Sequence, residues 1–213
     1  MIKRAIYFIA GLFVMSLGVA FSIKSSLGTT PISSISYSLA LCTGVNIGIT
    51  TIVFNGALVF IQMLVLKKRF EAKRLLQFIN CFLFGYFTDL AIYIVSLMNI
   101  PSSLAANIFI LILSIFLTAL GIFIYMPADI APLPGEGCVE SIAIVTDWRF
   151  SSIKIFFDAS MIAVSLVLCG IFYTDIFGSV NIGTFLAAFF VGFTLRQIIK
   201  VHTLLTGKEI NIR

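Results

Sequence analysis

Residues 121–158, GIFIYMPADIAPLPGEGCVESIAIVTDWRFSSIKIFFD, decide the fold once they are set beside residues 18–55, GVAFSIKSSLGTTPISSISYSLALCTGVNIGITTIVFN. Each stretch starts with a glycine at the end of a hydrophobic run, Gly18 and Gly121, and each has a proline 13 positions on, Pro31 and Pro134. Each then passes through a short segment of small residues, 32–43 and 135–146, into a second hydrophobic run. That run carries a polar group at the same place, Asn55 in one copy and Asp158 in the other. A single offset of 103 residues aligns all of these and pairs the identical residues Ser38/Ser141, Ala40/Ala143, Thr43/Thr146, Ile52/Ile155 and Phe54/Phe157. The ordered recurrence of glycine, proline and an amide or carboxylate is the signature of an internal duplication.

Composition sets the class. Hydrophobic residues make up 60% of the 213-residue chain and charged residues 11%, against roughly a quarter charged in soluble domains. This is the composition of an integral membrane protein, read as one membrane domain over 1–213. The net charge of +5 is no nucleic-acid footprint, because the basic residues fall between and outside the apolar runs as membrane orientation requires. The basic start followed by the apolar run 5–23 is too long for a signal peptide, whose core spans about 7–15 residues, and predicts an uncleaved first span. Cys42, Cys81, Cys138 and Cys169 are dispersed, no CxxC occurs and His202 is the sole histidine. Free thiols are expected, with no metal site and no cofactor.

Six segments are long enough for a hydrocarbon core of about 30 Å: 5–24, 48–66, 75–97, 103–126, 151–173 and 180–200. Backbone groups in lipid must be satisfied internally, so these are helices and the fold is all-α. With the N-terminus in the cytoplasm, Lys3, Arg4, Lys67, Lys68, Arg69, Lys73, Arg74, Arg149, Lys154, Arg196, Lys200, Lys208 and Arg213 fall on the inner side, and only Lys24 of the 14 basic residues falls outside. The bias predicts a multi-pass protein with both termini cytoplasmic. Three spans per copy, 5–97 and 103–200, place the second copy in the membrane upside down, the inverted-topology repeat of many transporters. At an offset of 107 the third spans pair Gly85 with Gly192 and Asp89 with Arg196.

The segments opened by Pro31 and Pro134 are too short to cross a bilayer, and either re-enter it or lie on its surface. Thr29 or Thr30 can cap a helix with Pro31 as its first residue, and Thr30 and Ser33 flank that start. If both helices enter the bundle, their positive ends suit an anionic group at a common centre. Glu136 and Glu140 are one turn apart and share a helix face. They either line a polar cavity or pair with Arg149 or Lys154, and Glu136 also suits a helix first turn. Asp158 and Asp89 are carboxylates inside spans, where a charge costs roughly 2.5–3.5 kcal/mol on insertion scales. They and Asn55 either bind helices together or line a solute or ion pathway, for which the candidates are Asp158, Asn55, Asp89, Glu136, Glu140, Thr30 and Ser33. Gly11, Gly18, Gly183 and Gly192 are packing positions.

Residues 18–31 (GVAFSIKSSLGTTP), the element 133–137 (LPGEG), 84–89 (FGYFTD) and 181–184 (NIGT) followed by Gly192 resemble the YczE/YitT-like group of bacterial inner-membrane proteins, especially its YczE-type branch. The resemblance implies a polytopic protein of the bacterial cytoplasmic membrane and names no substrate. The expected function is transport of a small solute, proton- or cation-coupled. The alternatives are a substrate-binding membrane subunit of an energy-coupling-factor type importer, or a membrane assembly or regulatory protein. An enzyme is not expected, since no HExxH, GxSxG, P-loop or dinucleotide motif is present. The partners that follow are membrane lipids and an unknown small solute, with no nucleic acid. A homo-oligomer, or partner membrane or ATPase subunits, is compatible with the same features.

Overall fold

The computed structural model describes residues 2–101, 103–128, 130–173 and 175–206. Ser102, Asp129, Lys208 and Arg213 lie outside the described residues. The described chain is all helical: α1 (Ile2–Lys24), α2 (Pro31–Thr43), α3 (Ile47–Leu66), α4 (Gln77–Ser96), α5 (Leu104–Tyr125), α6 (Pro134–Thr146), α7 (Phe150–Phe172) and α8 (Ile182–Thr206), with single 3-10 turns at Lys67–Arg69, Ala72–Leu76 and Met126–Ala128. Six of the helices are long and apolar enough to cross a membrane; α2 and α6, of 13 residues each, are not. At 1.5 Å per residue they reach about 20 Å, some two thirds of a hydrocarbon core. This is a multi-pass membrane protein. Both short helices begin at the prolines that the sequence marks.

The two short helices also stop by one device. The hydroxyl of Thr43 donates to Leu39 O (2.6 Å) and accepts from Val45 N (3.3 Å); Thr146 donates to Ile142 O (2.9 Å) and accepts from Trp148 N (3.4 Å). The next residue turns left-handed in both, Gly44 at φ +70° and Asp147 at φ +54°. Its N–H closes on the carbonyl of Ala40 (2.8 Å) or Ala143 (3.0 Å). The left-handed residue after the last turn is what ends the helix. The identities Ala40/Ala143 and Thr43/Thr146 therefore mark a repeated C-cap.

The chain divides into two compact units. The first comprises Met1–Thr30, Phe87–Ile130 and Asn181–Arg213. In it α1 runs antiparallel to α5 at very close approach. A Cβ on Gly18 would meet Thr118 N at 2.7 Å and Ser114 O at 2.9 Å; a Cβ on Gly121 would meet Met15 N at 2.6 Å and Gly11 O at 2.8 Å. The two sets exchange under the 103-residue offset, since Ser114 corresponds to residue 11 and Thr118 to residue 15. Small residues let the backbones touch where lipid supplies no hydrophobic drive. The unit's apolar packing joins Ala20 and Phe21 to Ala91, Val95 and Ile110, and α8 seats Ala187 against Leu111 and Ile115 of α5. Gly192 is no packing position: it is exposed, and a Cβ there meets nothing within 4 Å.

The second unit comprises Pro31–Tyr86 and Ala131–Val180. Here each short helix packs on the same two long helices: α2 on α7 and α3, and α6 on α3 and α7. Leu58, Cys138, Val139, Ile153 and Phe157 form its apolar core. Pro31, Ser34, Ile35, Ser36, Ser38 and Ala40 of α2 are buried, as are Pro134, Gly135, Gly137, Cys138, Val139 and Ser141 of α6. The short helices are thus enclosed by long helices rather than laid on a surface.

Candidate functional site

The starts of α2 and α6 meet inside the second unit. A Cβ on Gly135, the second residue of α6, would lie 2.5 Å from Cδ1 of Ile32, the second residue of α2. The contact maps onto itself under the 103-residue offset. Pro134 at the first position of α6 forgoes an N–H that would have no helical partner, and its fixed φ suits the first turn. Each start brings the partial positive charge of its free N–H groups to this point.

From that point α2 is sealed against α7 by hydroxyls. Ser34 Oγ and Ser165 Oγ are 2.7 Å apart, Ser38 Oγ and Ser179 Oγ are 2.6 Å apart, and Ser38 also reaches Ser165 O at 3.4 Å. The Cys169 thiol donates to Ser38 Oγ at 3.4 Å. Cys42 Sγ, half-buried, donates to Leu168 O at 3.6 Å. The four serines and Cys169 are fully buried.

The seal of α6 against α3 is built from amides. Gln62 Nε2 donates to Gln77 Oε1 (2.8 Å) and to Pro134 O (3.2 Å), and Gln77 Nε2 donates back to Gln62 Oε1 (3.2 Å). Asn80 Nδ2 donates to Ala131 O at 3.2 Å. All three amides are buried. Asn80 answers a specific need: the backbone leading into α6 is not helical, so the carbonyl of Ala131 requires a donor from elsewhere. Gly137 makes room, because a Cβ there would meet Gln77 Nε2 at 2.7 Å and Gln62 Oε1 at 2.8 Å. Arg74 closes the far end, with Nη1 3.4 Å from Ser141 Oγ and Nη2 3.2 Å from Glu140 Oε2. The two seals occupy equivalent positions. Ser34 corresponds to residue 137, Ser165 to residue 62 and Ser38 to residue 141.

The candidate residues named from sequence divide between the units. Thr30 and Asp89 belong to the first; Ser33, Asn55, Glu136, Glu140 and Asp158 belong to the second. Asn55 is buried and its Nδ2 donates to Thr51 O, one turn back, at 3.0 Å. Asp158 pairs with Lys154, one turn back on α7, with side-chain exposures of 15% and 32%. Thr51 and Lys154 are themselves equivalent, so both polar groups bond along their own helix. Glu140 pairs with Arg74, not with Arg149 or Lys154, and its side chain is 48% exposed; it stands at a rim rather than in an interior. Glu136 and Ser33 are half-buried beside the meeting point of the two helix starts. Gln62, Gln77, Asn80 and Ser165, which bind the short helices, are absent from the sequence-derived set. An amide inside an apolar span was the signal available for Gln62, Gln77 and Asn80, and the pairing of Gln62 with Ser165 at the 103-residue offset singles out those two.

Geometry thus defines a class: an all-helical, six-span membrane protein with two short proline-started helices enclosed by the long ones. The chain belongs to the family of unknown function DUF6198, whose family model matches residues 2–200. It is similar to the uncharacterized protein YyaS of Bacillus subtilis (strain 168), at 26% identity over 199 residues, 93% of each chain. No solved structure matches it.

Proposed function

We propose that the protein is a membrane transporter of a small anionic solute, with the solute recognised where the starts of α2 and α6 converge. The observation that carries this is the contact of Ile32 with Gly135. Two helices too short to span begin against each other inside a unit whose seams are polar. Short or broken helices meeting near a pseudo-two-fold axis are a recurrent transporter arrangement, and helix N-termini favour the negative groups of a solute. Non-helical backbone such as 131–133 is tolerated at membrane depth where protein encloses it or a cavity needs lining. Ser33 and Glu136 flank the meeting point, Ser33 as a donor to the solute and Glu136 as the group a coupling proton would neutralise. Asn55 and Asp158 stand further along the two equivalent long helices, and Asp158 with Lys154 is the candidate for cation coupling. The bacterial cytoplasmic membrane, with both termini inside, is the matching location, and the wider kinship proposed is with the YczE/YitT-like group.

Uptake by purified protein in proteoliposomes, screened over small organic and inorganic anions with and without a pH gradient, tests this directly. Saturable uptake that Glu136→Gln uncouples from the gradient is the expected result. Absence of uptake for every anion, together with co-purification of an ATPase module, overturns it in favour of an importer subunit.

A further inference from the structure

The hydroxyl seam and the amide seam are built at equivalent positions but face opposite ends of the second unit. The first binds α2 to α7 near the chain segments 44–46 and 175–180; the second binds α6 to α3 near 67–76. We propose that these seams are two alternating gates, Ser34–Ser38–Ser165–Ser179 on the outer side and Gln62–Gln77–Arg74–Ser141 on the inner side. This rests on the transport reading above and assigns residues to each half of its cycle.

Three features carry it. Each seam holds a short helix against a long helix of the other repeat, so parting a seam swings one short helix away from its sealed position. Each seam is made of side-chain hydrogen bonds that water can replace, while the apolar core of Leu58, Cys138, Val139, Ile153 and Phe157 also joins α6 to α3 and α7, so the amide seam parts by α6 pivoting on that core. A small hydroxyl or amide that trades a protein partner for water changes its free energy little, whereas apolar surface does not trade so easily. Finally, α2 and α6 touch at Ile32 and Gly135. Displacement of one start therefore bears on the other, which links the two seams mechanically. The basic residues 67–74 put the amide seam on the cytoplasmic side by the charge bias.

Two thiols report on the gates: the native Cys169, fully buried in the hydroxyl seam, and one introduced by Ser141→Cys at the buried hydroxyl that Arg74 reaches in the amide seam. In a Cys42→Ala/Cys81→Ala/Cys138→Ala background, a membrane-impermeant maleimide is applied to right-side-out and to inverted membrane vesicles. Cys169 should label from the outside and the thiol at position 141 from the inside. Ser38→Ala should raise the Cys169 rate and lower the position-141 rate by about fivefold, which is ~1 kcal/mol of seam stability. Gln77→Met should do the reverse, and Ser34→Ala should repeat the Ser38→Ala pattern if one variant folds poorly. Both rates rising together, neither changing, or no labelling of folded protein whose denatured form labels fully, would each overturn the gates. The same vesicles tested for anion uptake separate the two proposals. Opposed labelling without uptake sinks the anion and keeps the gates; uptake with unresponsive labelling does the converse.

Discussion

The Gln62–Gln77 pair gives the most quantitative prediction. Replacing Gln62 by Met keeps the side-chain length but removes both amide–amide bonds, at 2.8 and 3.2 Å, and the 3.2 Å bond to Pro134 O. It also strands the Gln77 amide in a fully buried site. A stranded buried polar group costs ~1–3 kcal/mol, while hydrogen bonds between transmembrane side chains average only ~0.6 kcal/mol because the unfolded chain in lipid finds other partners. Gln62→Met should therefore destabilise by about 2–3 kcal/mol. Gln77→Met should cost about 1–2 kcal/mol, because Gln62 keeps Pro134 O. The double variant leaves no stranded amide at this pair and should cost less than the two singles together by about 1–2 kcal/mol. Reversible unfolding in mixed micelles, followed by far-UV circular dichroism, measures the cycle. Additive costs would refute the pair as a mutually satisfying unit, and a destabilisation under ~0.5 kcal/mol for Gln62→Met would refute its burial as described.

Four further outcomes follow. Gly18→Leu and Gly121→Leu should each destabilise by more than ~2 kcal/mol, because the added side chain meets backbone atoms of the facing helix, while Gly192→Leu should stay within ~0.5 kcal/mol; thermal melts of the three variants check this. Thr43→Val and Thr146→Val should cost the same, about 1 kcal/mol each, since they remove the same pair of cap hydrogen bonds, and unequal losses in the same melts would deny the shared cap. Asp158→Asn should change stability by no more than ~1 kcal/mol, because Lys154 is partly exposed and can reach solvent, yet should abolish any cation-coupled uptake. Reporter fusions after Lys73 and Arg213 should read cytoplasmic and one after Ser102 external; an external signal at Lys73 would reverse the gate assignment.

Much of the fold was legible because it rests on length and punctuation. Runs of about 20 apolar residues can only be helices in lipid. Pro31 and Pro134 open α2 and α6, and Thr43 and Thr146 close them, at the residues the sequence pairs. The candidate site was less legible. Carboxylates drew attention because a charge in a span is costly, yet Asp158 is answered by Lys154 one turn away and Glu140 by Arg74 at a rim. Neutral amides and serines carry a smaller hydropathy penalty, and the sequence does not say which helix face meets another helix. The amides of Gln77 and Asn80 stand out within an apolar span, but their partners, residues 62 and 131, lie 15 and 51 positions away and the sequence does not pair them.

The low identity between the halves then has a physical reason. Under the 103-residue offset the positions of contact correspond, while the chemistry at those positions follows the backbone that must be satisfied. The approach to α2 carries its own donors: Ser22 Oγ reaches Gly28 O at 2.8 Å, and Thr29 Oγ1 lies 3.5 Å from Thr30 O. With that approach satisfied locally, the seam beside α2 needs only short hydroxyls, which serve as donor or acceptor in either direction. The approach to α6 is Ala131-Pro132-Leu133-Pro134, with two residues lacking an N–H and no hydroxyl at all. α6 itself satisfies Leu133 O through Gly137 N at 2.9 Å, but Ala131 O is reached from α4 by the long Asn80 side chain, and Gln62 of α3 adds a second donor to Pro134 O. Ser165 and Gln62 are thus one position solved twice. Exchanging them, as Gln62→Ser with Ser165→Gln, should fail at both seams: the first strands the Gln77 amide and removes the second donor to Pro134 O, and the second drives an oversized amide into the Ser34 site.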